Sequence, residues 1–79
     1  MQTSTIMLSS IEAVKKFVTL TNQYDFVINL ATDKYKIDAK SIMGVFSLDL
    51  SKPVTVEVDT ANEGAANFLA EIKQFELAQ

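Results

Sequence analysis

Serines placed at the starts of helical patterns are the side chains in this chain best set to do chemistry. Ser41 stands before Ile42-Met43-Gly44-Val45-Phe46, and Ser9-Ser10-Ile11-Glu12 has the S-x-x-E form of a capping box. A helix start presents unpaired N–H groups and the positive end of the dipole, so it favours a phosphate or another anion. Nothing nearby can activate either hydroxyl, because the chain contains no histidine and no cysteine. That removes the imidazole base, the thiolate nucleophile, the disulfide and the usual nitrogen/sulfur zinc site. A serine without a base is a poor nucleophile, so Ser10 is not expected to accept a phosphoryl group. Asp33 and Asp38 read as isolated turn residues without a ligand cluster, so no metal is expected. There is no carboxylate pair and no phosphate-cradling glycine loop. We expect neither an enzyme nor a cofactor.

Composition narrows the partners. Seventy-nine residues allow one small domain, residues 1–79, which buries only about 60% of its unfolded surface. With 48% apolar and 22% charged residues the chain has the makeup of a folded globule, not of a disordered segment. Seven lysines against ten acids give a net charge of -3, and no arginine is present. Without a basic footprint or a guanidinium fork, nucleic acid is not an expected partner. The longest apolar run, Ser41 to Leu48, is too short to cross a bilayer. The first residues lack the basic segment of a signal peptide, so a cytoplasmic protein is expected.

The elements that must position the serines follow from periodicity. Thr3 to Leu8 reads as a strand with Ile6 and Leu8 on one face. Ile11, Val14, Phe17, Val18 and Thr21 then recur at three- and four-residue steps, which predicts an amphipathic helix capped by Ser9, with Glu12 as its partner. Lys15, Lys16 and Thr19 fall on its solvated side. Phe26, Ile28 and Leu30 alternate with polar or exposed positions, and Tyr35 and Ile37 alternate after the turn Ala31-Thr32-Asp33-Lys34. Two such runs form a hairpin, with Tyr24 and Tyr35 as half-buried strand aromatics. Ser41 to Ser47 is a short helix weakened by Gly44. Pro53 opens the strand Val54, Val56, Val58, since no ladder bond has to start at that residue. Thr60-Ala61-Asn62-Glu63 reads as a second capping box, ahead of the stripe Ala65, Phe68, Leu69, Ile72, Phe75. The order is β-α-β-β-α-β-α. We expect an α+β, open-faced two-layer sandwich with a four-stranded, mostly antiparallel sheet and three helices on one face.

The stretch from Asp38 to Leu50, with its Lys40-Ser41-Ile42-Met43-Gly44-Val45 core, resembles the HPr family. These are the small histidine-phosphorylated carriers of the sugar phosphotransferase system, and the likeness is nearest to low-GC Gram-positive members. It runs without a gap from Phe17-Val18 to Val58 and more loosely into the last helix. Aligned on Phe17-Val18, the family's phosphoacceptor histidine falls on Ser10, its arginine on Glu12 and its proline on Ala13, and the preceding loop is shortened. The resemblance therefore implies a divergent member that cannot form a phosphohistidine and that sets a negative charge where the family has a positive one.

Ser41 matches the serine that HPr kinase/phosphorylase modifies in Gram-positive members; on its own residues it reads as a helix cap. The resemblance also implies docking through the first and the short helix, with Ile42, Met43 and Phe46 exposed. The pattern agrees with this, because Val45 and Leu48 can point inward while those three are hard to bury together. The expected function is a regulatory or adaptor protein similar to the catabolite-repression HPr-like proteins, which also lack the histidine. Its partners would be proteins, such as HPr kinase/phosphorylase or a transcriptional regulator. The chain would be a monomer or a weak homodimer. The alternative is a divergent interaction domain unrelated to sugar transport, in which Ser41 is only a cap.

Overall fold

A computed structural model describes residues 2–75 of the chain. Strand β1 (Gln2–Ile6) leads into helix α1 (Ile11–Thr21), followed by the hairpin of β2 (Ile28–Ala31) and β3 (Lys36–Asp38). Helix α2 (Ile42–Phe46) and strand β4 (Val54–Val58) come next, and α3 (Ala65–Glu71) runs on into a 3-10 turn at Ile72–Phe75. The expected element order is the one seen, and all the strand pairings are antiparallel.

The sheet order is β1-β4-β2-β3, so the last strand in the chain lies between the first two. Its alternation decides the layering. Val54, Val56 and Val58 face the helices and lie opposite Ile6, Leu30 and Ile28 in the registers of the two neighbouring strands. All six are buried, and they share one core with Val14, Phe17, Phe68 and Ile72. Burying each of these branched or aromatic side chains contributes about 1.5–3 kcal/mol. The opposite face carries Thr5 against Thr55 and Asn29 against Glu57. A 2.8 Å ion pair joins Lys36 to Glu57 on that face; its lysine end is open to water while the Glu57 side chain is mostly covered.

Three local details differ from the sequence pattern. The residue that caps α1 is Ser10, not Ser9: its backbone is extended and its Oγ accepts from the Ala13 N–H. Ile11 is therefore the first helical residue, and it lies outside the core at 63% exposure. Nor do residues 60–63 form a capping box. Asp59 accepts the Ala61 N–H, the chain turns, and α3 starts after Gly64, whose φ of 92° lies in the left-handed region. The closing helix also tightens after Glu71 into 3-10 geometry, yet Ala65, Phe68, Ile72 and Phe75 still all face the core.

The tyrosines do not belong to strands. Tyr35 sits exposed in the hairpin turn. Tyr24 follows α1 and packs edge-on against Phe68, 5.3 Å between ring centroids, with Phe26 beside it. Its hydroxyl donates to Glu71 at 2.6 Å and accepts from Asn67 at 2.9 Å, tying the α1–β2 loop to α3. Desolvation by burial, then the bond to Glu71, raise its pKa above the ordinary tyrosine value of 10.0.

Two outcomes follow for stability. A Cβ on Gly64 would meet Phe26 at an unstrained 3.7 Å, so the cost of Gly64→Ala comes from its positive φ. It should be about 1–2 kcal/mol, lowering the melting midpoint by several degrees. For Tyr24 the folded state holds the proton more tightly than the unfolded one. Its contribution is therefore complete below pH 10.0 and is lost as pH rises through the folded-state pKa. Denaturant midpoints measured from pH 8 to about 11 should fall less steeply in Tyr24→Phe than in the parent chain.

Candidate functional site

Helix α2 is a single short turn and a half, and its start is set by Ser41. The Ser41 backbone is extended, its Oγ accepts from the Gly44 N–H at 3.2 Å, and its carbonyl accepts from Val45. At the other end Ser47 donates its hydroxyl to the Gly44 carbonyl. Val45 is fully buried and Leu48 nearly so, which turns the remaining side chains outward. Ile42, Met43 and Phe46 are 37%, 77% and 40% exposed. Since 42 and 46 are four apart and 43 and 46 three apart, the three share one helical face. An apolar surface of this kind next to a serine hydroxyl can take up a complementary apolar surface and report a change of charge at its edge.

The segment leading into this helix is tied at every residue. Asp38 accepts the Lys40 N–H with its side chain at 2.9 Å and the Ser41 N–H with its carbonyl at 3.1 Å. Asp38 is thus a turn-forming residue, in line with the sequence. The Ala39 N–H donates to the Ile28 carbonyl in β2. From α1, the Thr21 hydroxyl reaches the Ala39 carbonyl at 3.3 Å and the Asn22 amide donates to the Lys40 carbonyl at 3.1 Å. Sequence reasoning did not single out these last two. Thr21 was visible as a polar residue in an apolar stripe and Asn22 as a residue at a helix end. Their partners, eighteen positions away, were not legible.

Ser10 lies at the start of α1, exposed, with its hydroxyl engaged by the Ala13 N–H at 3.0 Å. Glu12 is exposed in the first turn, where its charge suits the helix dipole. It does not act as the partner of Ser9. Lys15 and Lys16 are solvated, as the pattern implied. Ile11, expected in the core, instead adds an exposed apolar side chain to the first turn of α1.

Elsewhere the surface is mixed. An open depression on the helix-free face, between the hairpin turn and the α2–β4 loop, is lined by Asp33, Tyr35, Asp49, Lys52, Thr55 and Glu57. Both signs of charge line it, so it concentrates neither. Hydrogen bonds from the Ser51 hydroxyl and N–H hold the Asp49 carboxyl below its ordinary pKa. Among the described residues no cluster of acidic side chains could hold a metal ion, and no helix is long and apolar enough to cross a membrane.

Comparison with known proteins places this geometry. The family described as the PTS HPr component phosphorylation site matches residues 11–76. An HPr-C-His from Thermoanaerobacter tengcongensis superposes with a TM-score of 0.70 at 28% sequence identity, over 94% of this chain and 92% of that one. The phosphocarrier protein HPr from Bacillus anthracis superposes with a TM-score of 0.71, at 21% identity, over 96% of each chain, which is a likeness of fold. No curated protein matches the chain.

The two caps can be compared directly. Ser41→Ala and Ser10→Ala each remove one side-chain acceptor from a helix start and should each cost about 1 kcal/mol. Ser41→Asp should recover most of its loss, because a carboxylate accepts from the same N–H. Chemical denaturation of the three variants checks both statements.

Proposed function

The chain belongs to the HPr family, and we propose that it works there as a docking protein and not as a carrier of phosphate on histidine. One observation carries this reading: the chain has no histidine, while the apolar face beside Ser41 stands open. At the position that the family's phosphoacceptor takes in the alignment lies Ser10. Its hydroxyl caps α1, and no base adjoins it among the hydrogen-bonded neighbours. Glu12, two residues further on, repels an incoming phosphate at short range.

Partners dock on Ile42, Met43 and Phe46. HPr kinase/phosphorylase or a transcriptional regulator of catabolite repression has the appropriate chemistry, and the work takes place in the cytoplasm. Phosphorylation of Ser41 adds about -1.5 to -2 charges at the edge of the patch. That change alters which partners bind. The protein itself catalyses nothing. A second reading has one observation in its favour, that the Ser41 hydroxyl is already occupied as a cap. Under it the chain is an interaction domain without a link to sugar transport, and Ser41 is never modified.

Intact-mass measurement separates these. Incubated with ATP and HPr kinase, the protein should gain one phosphate, absent in Ser41→Ala. Incubated with phosphoenolpyruvate and enzyme I, it should gain none. Phosphate in the second reaction would overturn the loss of the carrier step; none in the first would favour the second reading. Met43→Ser should raise the KM for the kinase about tenfold, the effect of removing one apolar anchor from an interface. Its melting midpoint should stay within a degree or so of the parent, since Met43 is exposed.

A further inference from the structure

Helix α2 has too little of its own to fix where it points. Five residues cannot sustain a helix alone, and its only buried side chain is Val45. Val45, with Leu48 just after the helix, turns Ile42, Met43 and Phe46 outward. Both anchors lie toward the far end of so short a helix, so its start is left to be placed by the segment before Ser41.

Among the described residues, the side-chain hydrogen bonds that reach the α2 approach from another helix are those of Thr21 and Asn22. Thr21 is fully buried, a polar group with 0% exposure. Its hydroxyl proton is shared between the Val18 carbonyl at 2.8 Å and the Ala39 carbonyl at 3.3 Å. Asn22 uses both amide hydrogens, one on Val18 at 2.8 Å and one on Lys40 at 3.1 Å. Each side chain therefore grips the last turn of α1 and the peptide before Ser41 at once. The two gripped carbonyls are consecutive, so the plane of the connector is fixed as well as its distance. Ser41, the cap, is the next residue.

We propose that Thr21 and Asn22 form a latch that orients the Ser41 cap and the apolar face of α2 against α1. They are positioning residues: they touch no partner, and they act through the connector at Ala39 and Lys40. The consequence for binding rests on the docking function proposed above, while the latch itself does not.

Amide hydrogen exchange on the full chain tests the latch without a partner. Thr21→Val keeps the shape and removes the hydroxyl, Asn22→Ala removes the amide, and Thr21→Ser keeps the donor. In the first two, exchange at Gly44, Val45 and Ser47 should quicken roughly tenfold more than exchange in β2 and β4. Thr21→Ser should behave as the parent does. Equal quickening everywhere, or none at α2, overturns the latch, because either result means that these bonds serve the fold at large or not at all. A parallel measurement of the kinase KM for Ser41 then addresses docking: a rise in Thr21→Val with recovery in Thr21→Ser joins the latch to the docking face. If exchange responds and KM does not, the latch stands and the docking reading fails.

Discussion

The valine row of β4 is the constraint on which everything else rests. Val54, Val56 and Val58 are nearly inaccessible to water; Val56 and Val58 are paired on both sides, with β1 and with β2, and Val54 with β1. They share one core with the aromatic residues of α1, α3 and the 3-10 turn, including the edge-to-face pair Phe17–Phe75. Were β4 to slip by one residue, Thr55 and Glu57 would enter that core and three valines would face water. The helices would then have no apolar surface to bury against. The placement of Ser10 and Ser41 at the ends of two helices is downstream of this one alternation.

Core and helix start are carried by different residues here. The scaffold is that of a phosphate-carrying family, matched over residues 11–76. Its core needs no histidine, because Val14, Phe17 and Val18 bury the inner face of α1 whatever precedes the first turn. At this helix start the Ala13 N–H is satisfied by the hydroxyl of Ser10 itself. The residue at the start of α1 can thus vary at almost no cost to the packing beneath it.

Much of this was legible in the residues. Strict alternation in β2 and β4 marked the core side correctly, and Ser41 followed by an apolar run identified α2 and its cap. What failed did so for physical reasons. Ser9 and Ser10 are both able caps, and the S-x-x-E spacing favoured the wrong one; Ile11 shares a face with Val14 and Val18 but is the first residue of the helix and stays exposed. At residues 60–63 Asp59 competed for the backbone donors and formed a turn, leaving Gly64 to open α3 through a conformation unfavourable for other residues. Tyr24 looked like part of a strand because polar and apolar residues alternate around it, yet its bonds go to α3. Of the proposed docking region, the exposed side chains could be reasoned out from helical spacing. The grip of Thr21 and Asn22 could not, since it joins segments that only the finished fold brings together.

The interleaved strand order also shapes how the chain comes to be folded. The first two strands never hydrogen-bond to one another; each waits beside a slot that is filled by residues 54–58. On the ribosome, a nascent chain that has emerged only through α2 holds two open backbone ladders and half a core. Closure of the sheet must therefore wait for residues 54–58, and until then the open strand edges are free to pair with another strand.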